Sequence, residues 1–374
     1  MRWDNLKMTT EEEERLPGYS DPAVVRHFDA PEAMGVRFYE VRAKSALNRV
    51  PEVSQVPFRW TINPYRGCTH ACTFCFARPT HEYLDMNTRD DFDRKIVVKV
   101  NLPEVLRREL NRPSWKGEHV ALGTNTDPYQ WVEKRYRLTR GVWEAMRDFR
   151  NPCSVLTKSP LLLRDLDLFR EIAAVTQFTA NLSIPTIDEK VWRQTEPHTP
   201  NPRARIEAVA ELTRAGISCG VLVAPLIPGV NDDPAQVQEI VEACAEAGAT
   251  HIGGICLHLR GEVKAIWFEW LEAYRPDLIP RYEQLYARGA YAPKAERERI
   301  MDLVREARPD SAVTQPPDYR LRPRRSRPGK PGRGAAASKP PAGRLMRGGL
   351  AEARSPHRAD ELIDDGAPIQ QSLF

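Results

Sequence analysis

Apolar residues recur along this chain in short runs, separated by longer stretches in which they return every three or four positions. Runs of four to eight residues, rich in Val, Ile, Leu and Thr and bounded by Gly, Pro or Asn, predict strands. They fall at residues 59–63, 95–100, 118–123, 153–157, 178–184, 218–226 and 251–259. Between them, amphipathic spacing predicts helices at 103–111, 139–149, from 160 to about 174, 202–215, 234–247 and near 264–274. Pro103, Pro202 and Pro234 stand at first-turn positions, and Gly216 and Gly248 follow the last turns. Strand–helix alternation predicts an α/β fold with a parallel sheet and crossover helices. Counted from residue 59, it gives about six core units, fewer than a closed eight-fold barrel needs.

The flanks read differently. Residues 1–45 are charged and weakly periodic, which predicts an extension packed on or near a core at 46–277. Residues 278–307 read as C-terminal helices. From 308 to 374 the pattern stops. The run Arg322 to Gly334 is Arg, Pro, Gly and Lys with one Ser, which predicts a disordered basic tail. Between Tyr319 and Leu350 there are ten Lys or Arg and no Asp or Glu, so the net charge of +4 hides a mildly acidic body. Such a split suits nucleic acid or another anionic partner.

Composition narrows the class. With 374 residues and 41% hydrophobic content, the chain can bury one large core or two ordinary ones. No run approaches the roughly 20 apolar residues of a membrane span. The N-terminal region, with Glu11 to Glu14 in a row, lacks a signal-peptide pattern. Seven cysteines, an odd number without regular spacing, argue against a disulfide framework and for a reducing cytoplasm.

Three of those cysteines carry the chemistry. Cys68, Cys72 and Cys75 are spaced C-x3-C-x2-C, close enough for one loop to turn three thiolates toward a common point. An iron–sulfur cluster with four irons takes four ligands, and this loop offers three, which leaves one iron open. A zinc ion would need a fourth ligand, with His70 or His81 the nearby choices.

The spacing, with aromatic Phe74 before the third cysteine, resembles the radical S-adenosylmethionine enzymes. The resemblance covers roughly residues 58–260 and implies a partial (β/α)6 barrel. It also implies a [4Fe–4S] cluster on Cys68, Cys72 and Cys75 and S-adenosylmethionine on its open iron. Reductive cleavage of that cofactor would yield a 5′-deoxyadenosyl radical that takes hydrogen from a substrate. A reductant such as ferredoxin or flavodoxin would supply the electron.

Further residues resemble the spore photoproduct lyase branch: Asp127, Thr157-Lys158-Ser159, Ser183-Ile184, Glu196-Pro197, Arg205 and Val223-Ala224-Pro225. By that match Phe74, Thr124, Asn125, Asp127, Lys158, Ser183, Arg205 and Ala224 line the cofactor site. Lys158 would meet the cofactor carboxylate and Ser183 its ribose. The lyase carries a hydrogen-donor cysteine beside the Asp127 position, whereas Gly123 to Asp127 holds no thiol here. Cys153, Cys219 or Cys256 would then donate, and Tyr65, Tyr83 or Tyr129 would relay a radical.

The last five residues, Gln370 to Phe374, resemble the peptide by which bacterial DNA enzymes dock on the polymerase sliding clamp. Two functions follow from the sequence. One is an enzyme acting on a nucleic-acid base or other large substrate, in DNA repair or modification. The other is a nucleic-acid- or clamp-associated adaptor with a structural metal site and no catalysis.

Overall fold

Short apolar strands flanked by amphipathic helices must find partners in a sheet buried on both faces. The computed structural model describes residues 8–309, apart from 34, 53 and 55. The strands are β1 (Met8–Glu14), β2 (Ala23–Phe28), β3 (Arg37–Val41), β4 (Asn48–Arg49), β5 (Trp60–Ile62), β6 (Tyr65–Arg66) and β7 (Lys95–Lys99). They continue with β8 (Val120–Leu122), β9 (Cys153–Thr157), β10 (Phe178–Ser183), β11 (Cys219–Leu226) and β12 (His251–Cys256).

The larger sheet runs β12-β11-β10-β9-β8-β5-β4. Its six strands from β5 to β12 are all parallel, and β4 adds an antiparallel edge. The register sets Ile62 beside Leu122, Leu122 beside Val155, Thr157 beside Leu182 and Ser183 beside Leu222. The ends of the strands therefore form one edge, where Asn63, Gly123, Lys158 and Ala224 stand near each other in sequence order. This is the expected α/β architecture of about six units.

The crossover helices owe their positions to their apolar faces. Leu138–Asp148 buries Val142, Trp143, Ala145 and Met146, and the Trp143 ring meets Phe169 and Phe178 edge-on. Pro202–Arg214 starts on Asn201, whose side chain accepts from Arg203 N at 2.8 Å. The last helix, Lys294–Ala307, packs against β12 and the Pro234–Glu246 helix.

The N-terminal segment forms more structure than its weak periodicity predicts. Strands β1, β2 and β3 pair antiparallel, and β3 runs parallel to β7, whose other neighbour is β6. The strand expected at 95–100 thus joins this second sheet and not the barrel. Its two faces bury separate clusters, one around Phe38, Ile96 and Val98 and one around Tyr39, Val41 and Val97. Because β6 runs straight into the cysteine loop, this sheet is the loop's foundation. Among the described residues no helix is long and apolar enough to cross a membrane. The basic run from Arg322 and the peptide Gln370 to Phe374 lie outside the described residues.

Candidate active site

The cysteine loop begins where β6 ends. Gly67 has φ +78°, and a Cβ there would stand 2.7 Å from the Phe92 carbonyl. Only glycine accepts that combination. Cys68 N donates to that same carbonyl at 2.9 Å. Gln130 grips the start of the loop on both sides of Cys68: its Nε2 donates to Gly67 O at 3.1 Å, and its Oε1 accepts from Thr69 N at 3.0 Å. Thr73 N donates to Thr195 O at 3.0 Å. Between them Cys68, Cys72 and Cys75 are all free thiols.

Burial pushes all three thiols above the ordinary cysteine range; Asp127 and then Cys75 raise Cys68 further, and Glu196 and the other two thiols raise Cys72. Backbone N–H groups of Ala77 and Arg78, and the cations of Arg78 and Lys158, pull Cys75 back down. Three thiols in one desolvated loop, flanked by cations, form a donor set that suits an anionic cluster. Each of the two histidines that could complete a zinc site has one ring nitrogen engaged by another group. His81 Nε2 lies 3.0 Å from Lys95 O, and His70 Nδ1 lies 3.5 Å from Asp127 Oδ2.

Polar groups from three strand ends gather beside the loop. Asp127 follows β8, and its carboxylate accepts from Thr157 Oγ1 at 2.6 Å, Lys158 N at 2.7 Å and Tyr129 N at 2.8 Å. These bonds lock the end of β9 to the end of β8. Lys158 Nζ donates to Ser183 Oγ at 2.7 Å, pairs with Glu196 Oε1 at 2.6 Å, and sits 5.7 Å from the Phe74 ring centroid. Ser183 Oγ in turn donates to Ala224 O at 2.9 Å. Arg205 donates to Ser183 O at 3.0 Å and Thr199 Oγ1 at 2.6 Å, and pairs with Glu196 Oε2 at 2.8 Å. The two cations hold Glu196 below the ordinary carboxylate range although burial, the largest influence, opposes them.

The structure therefore brings Phe74, Asp127, Lys158, Ser183, Arg205 and Ala224 into one network. Thr124 and Asn125 stand half-buried in the turn between β8 and Asp127. The groups expected to react directly are placed differently. Cys153 opens β9, at the opposite end from Lys158, and is buried in the core with Trp143 and Phe178. Strands rise about 3.3 Å per residue, so five residues remove it from the strand ends by roughly 16 Å. Cys219 likewise opens β11. Cys256 closes β12, buried in the core. The Tyr129 hydroxyl donates to Asp165 Oδ2 at 2.9 Å and accepts from Trp143 Nε1 at 2.7 Å, which commits it to the core. Tyr65 donates to Glu133, and Tyr83 is 66% exposed. Sequence reasoning passed over Gln130 and gave Glu196 no place of its own. No local pattern marks either residue, since each acts through partners on other elements.

Comparison with known proteins fixes the family. The description "Radical SAM superfamily" matches residues 62–242. An uncharacterized protein of Mycobacterium tuberculosis is 46% identical over 289 residues, which cover 77% of this chain and 85% of that protein. The chain belongs to the radical SAM superfamily. A radical SAM Nalpha-GlyT isomerase of Pseudomonas phage M6 is 26% identical over 193 residues, 50% of this chain and 37% of that protein. Among solved structures, spore photoproduct lyase complexed with dinucleoside spore photoproduct superposes with a TM-score of 0.55 at 16% identity. The match covers 72% of this chain and 78% of that one. A variant of that lyase with bound AdoMet gives 0.53 at 17%, covering 75% and 82%. At these identities the likeness is one of fold. The cofactors of this enzyme are a [4Fe–4S] cluster and S-adenosylmethionine, and the donor set of its cysteine loop fits the cluster.

Proposed function

We propose that Cys68, Cys72 and Cys75 hold the cluster and that the network around Lys158 receives S-adenosylmethionine, for hydrogen abstraction from a nucleic-acid base. The observation that carries this reading is Lys158 itself. Its ammonium has three N–H donors. One goes to Ser183, one lies on Glu196, and the third is left for a ligand carboxylate beside Phe74 of the cysteine loop.

When bound, the cluster and S-adenosylmethionine supply one-electron cleavage of a carbon–sulfur bond and thereby a radical able to take hydrogen. The chain supplies placement. Asp127 fixes the backbone of Lys158, and Glu196, held by Arg205, fixes its side chain. Ser183 presents a hydroxyl on the next strand for a sugar. Phe74, 7% exposed, shields the loop from water.

Spore photoproduct lyase shares the fold and has been captured with a dinucleoside lesion. The basic run between Tyr319 and Leu350 suits a polyanion, with affinity that falls as salt rises. A structural zinc site without catalysis has less support. One nitrogen of each candidate histidine is engaged elsewhere, and among the described residues no three His, Cys, Asp or Glu side chains converge as one ion requires.

The test is anaerobic reconstitution, followed by dithionite and S-adenosylmethionine. Release of 5′-deoxyadenosine that vanishes when all three cysteines become alanine supports the reading. A colourless, zinc-loaded protein that leaves the cofactor whole refutes it. Adding damaged DNA or RNA then asks whether release rises with a nucleic-acid substrate.

A further inference from the structure

Arg78 follows the third cysteine by three positions and is 5% exposed. A buried guanidinium normally pairs with a carboxylate. This one has a single, long ion pair, to Asp93, and spends most of its donors on backbone. Its Nε donates to Cys72 O at 3.1 Å and its Nη2 to Ala71 O at 3.1 Å. Its Nη1 donates to Thr88 O at 3.0 Å and Arg89 O at 2.9 Å, with Asp93 Oδ1 at the limit of reach, 3.5 Å. The plane lies 5.1 Å from the Phe92 ring centroid.

Those acceptors are not scattered. Ala71 and Cys72 belong to the turn that aims the second thiol, and Ala71 holds a left-handed φ of +54°. Thr88 and Arg89 lead to Phe92, whose carbonyl anchors Cys68 N and crowds Gly67. One planar fork thus joins both sides of the cysteine loop, a geometry that lysine cannot copy.

We propose that Arg78 is a positioning residue for the cluster, acting in two separable ways. Its fork holds the loop so that the thiols face one point. Its charge offsets the negative charge of a cluster on three thiolates, which grows when the cluster takes an electron. This rests on the cluster reading given above.

The test uses the full chain, reconstituted without air, as wild type, Arg78→Lys and Arg78→Met. Two quantities are read: the rate of iron loss to a chelator, and the midpoint potential by spin-resonance titration. Both variants are expected to lose iron about tenfold faster, as altered outer contacts of metal ligands generally do. Only Arg78→Met is expected to show a more negative potential. A merely structural arginine would not separate the two readouts. If Arg78→Met does not fold, Arg78→Gln reads the charge and Arg78→Lys the fork. A cluster-loaded wild type whose variants match it in both measurements overturns the proposal alone. A wild type that takes up no iron overturns the cluster reading beneath it as well.

Discussion

Arg205 holds the Glu196 carboxylate at 2.8 Å, and both side chains are sealed from solvent. Neither charge could remain there alone. Removing one partner of a buried ion pair strands the other, at a cost of about 3–5 kcal/mol. Glu196→Gln, which leaves the buried Arg205 without its carboxylate, is therefore expected to lower the unfolding free energy by that amount in urea melts of the cluster-free protein. Glu196→Gln with Arg205→Met should cost clearly less than the two single losses added together, because the stranded charge is gone. Additive losses would mean that the two residues are not coupled.

Lys158 stands at the other oxygen of Glu196, and its loss strands no charge, because Arg205 still neutralises that carboxylate. Lys158→Met should leave the melting temperature near that of the wild type while weakening S-adenosylmethionine binding. A hydrogen bond to a charged group is worth about 1.5–3 kcal/mol, or roughly ten- to a hundredfold in affinity. Calorimetric titration of the cluster-loaded protein reads it directly. Unchanged affinity would remove Lys158 from the cofactor site.

How far the sequence foretold this arrangement depends on where each signal resides. The six parallel strands are legible because their apolar runs are bounded by turn residues and alternate with amphipathic helical stretches. The cysteine loop is legible because its donors lie within eight residues of each other. Strands β1 to β3 are not, since charged positions such as Arg26, Arg37 and Glu40 break their alternation and β7 is needed to complete their sheet. Glu196 is legible in the sequence only as part of the Glu196-Pro197 match and as a possible partner of Arg205, not as the residue that joins Arg205 to Lys158. A glutamate in a turn looks like any other until Lys158 and Arg205 are seen to close on it. Cys153 misleads in the opposite sense. It sits on a strand of the right sheet, and only the direction of β9 shows that it faces the wrong end.

Gly123 closes β8 with φ +79°, and a Cβ there would stand 1.8 Å from Leu156 O. Gly216 has nearly the same φ, +77°, with nothing within 4 Å. The pair separates backbone strain from collision. Gly216→Ala should cost the left-handed penalty alone, about 1–2 kcal/mol. Gly123→Ala must also push apart β8 and β9 where Asp127 ties them together, at about 4 kcal/mol or more. Equal losses in a denaturant series would show that the strand ends are not packed this tightly.

His251 sits at the start of β12, where its Nε2 lies 2.9 Å from Asn181 Oδ1. Burial pushes its pKa down to about 4. In the unfolded chain a histidine titrates near 6.5. Between those values the unfolded state holds a proton that the folded state refuses. Stability contributed by the neutral ring is therefore present above about pH 6.5 and drains away as pH falls toward 4. From pH 7 to 5.5 that loss is about 1.2 kcal/mol for one such group. His251→Gln keeps a donor for Asn181 and removes the titration. Its unfolding free energy should fall less than the wild type's over that interval, by about that amount. Urea melts at the two pH values measure the difference. Parallel losses in the two proteins would mean that His251 takes its proton in the folded state as readily as in the unfolded one.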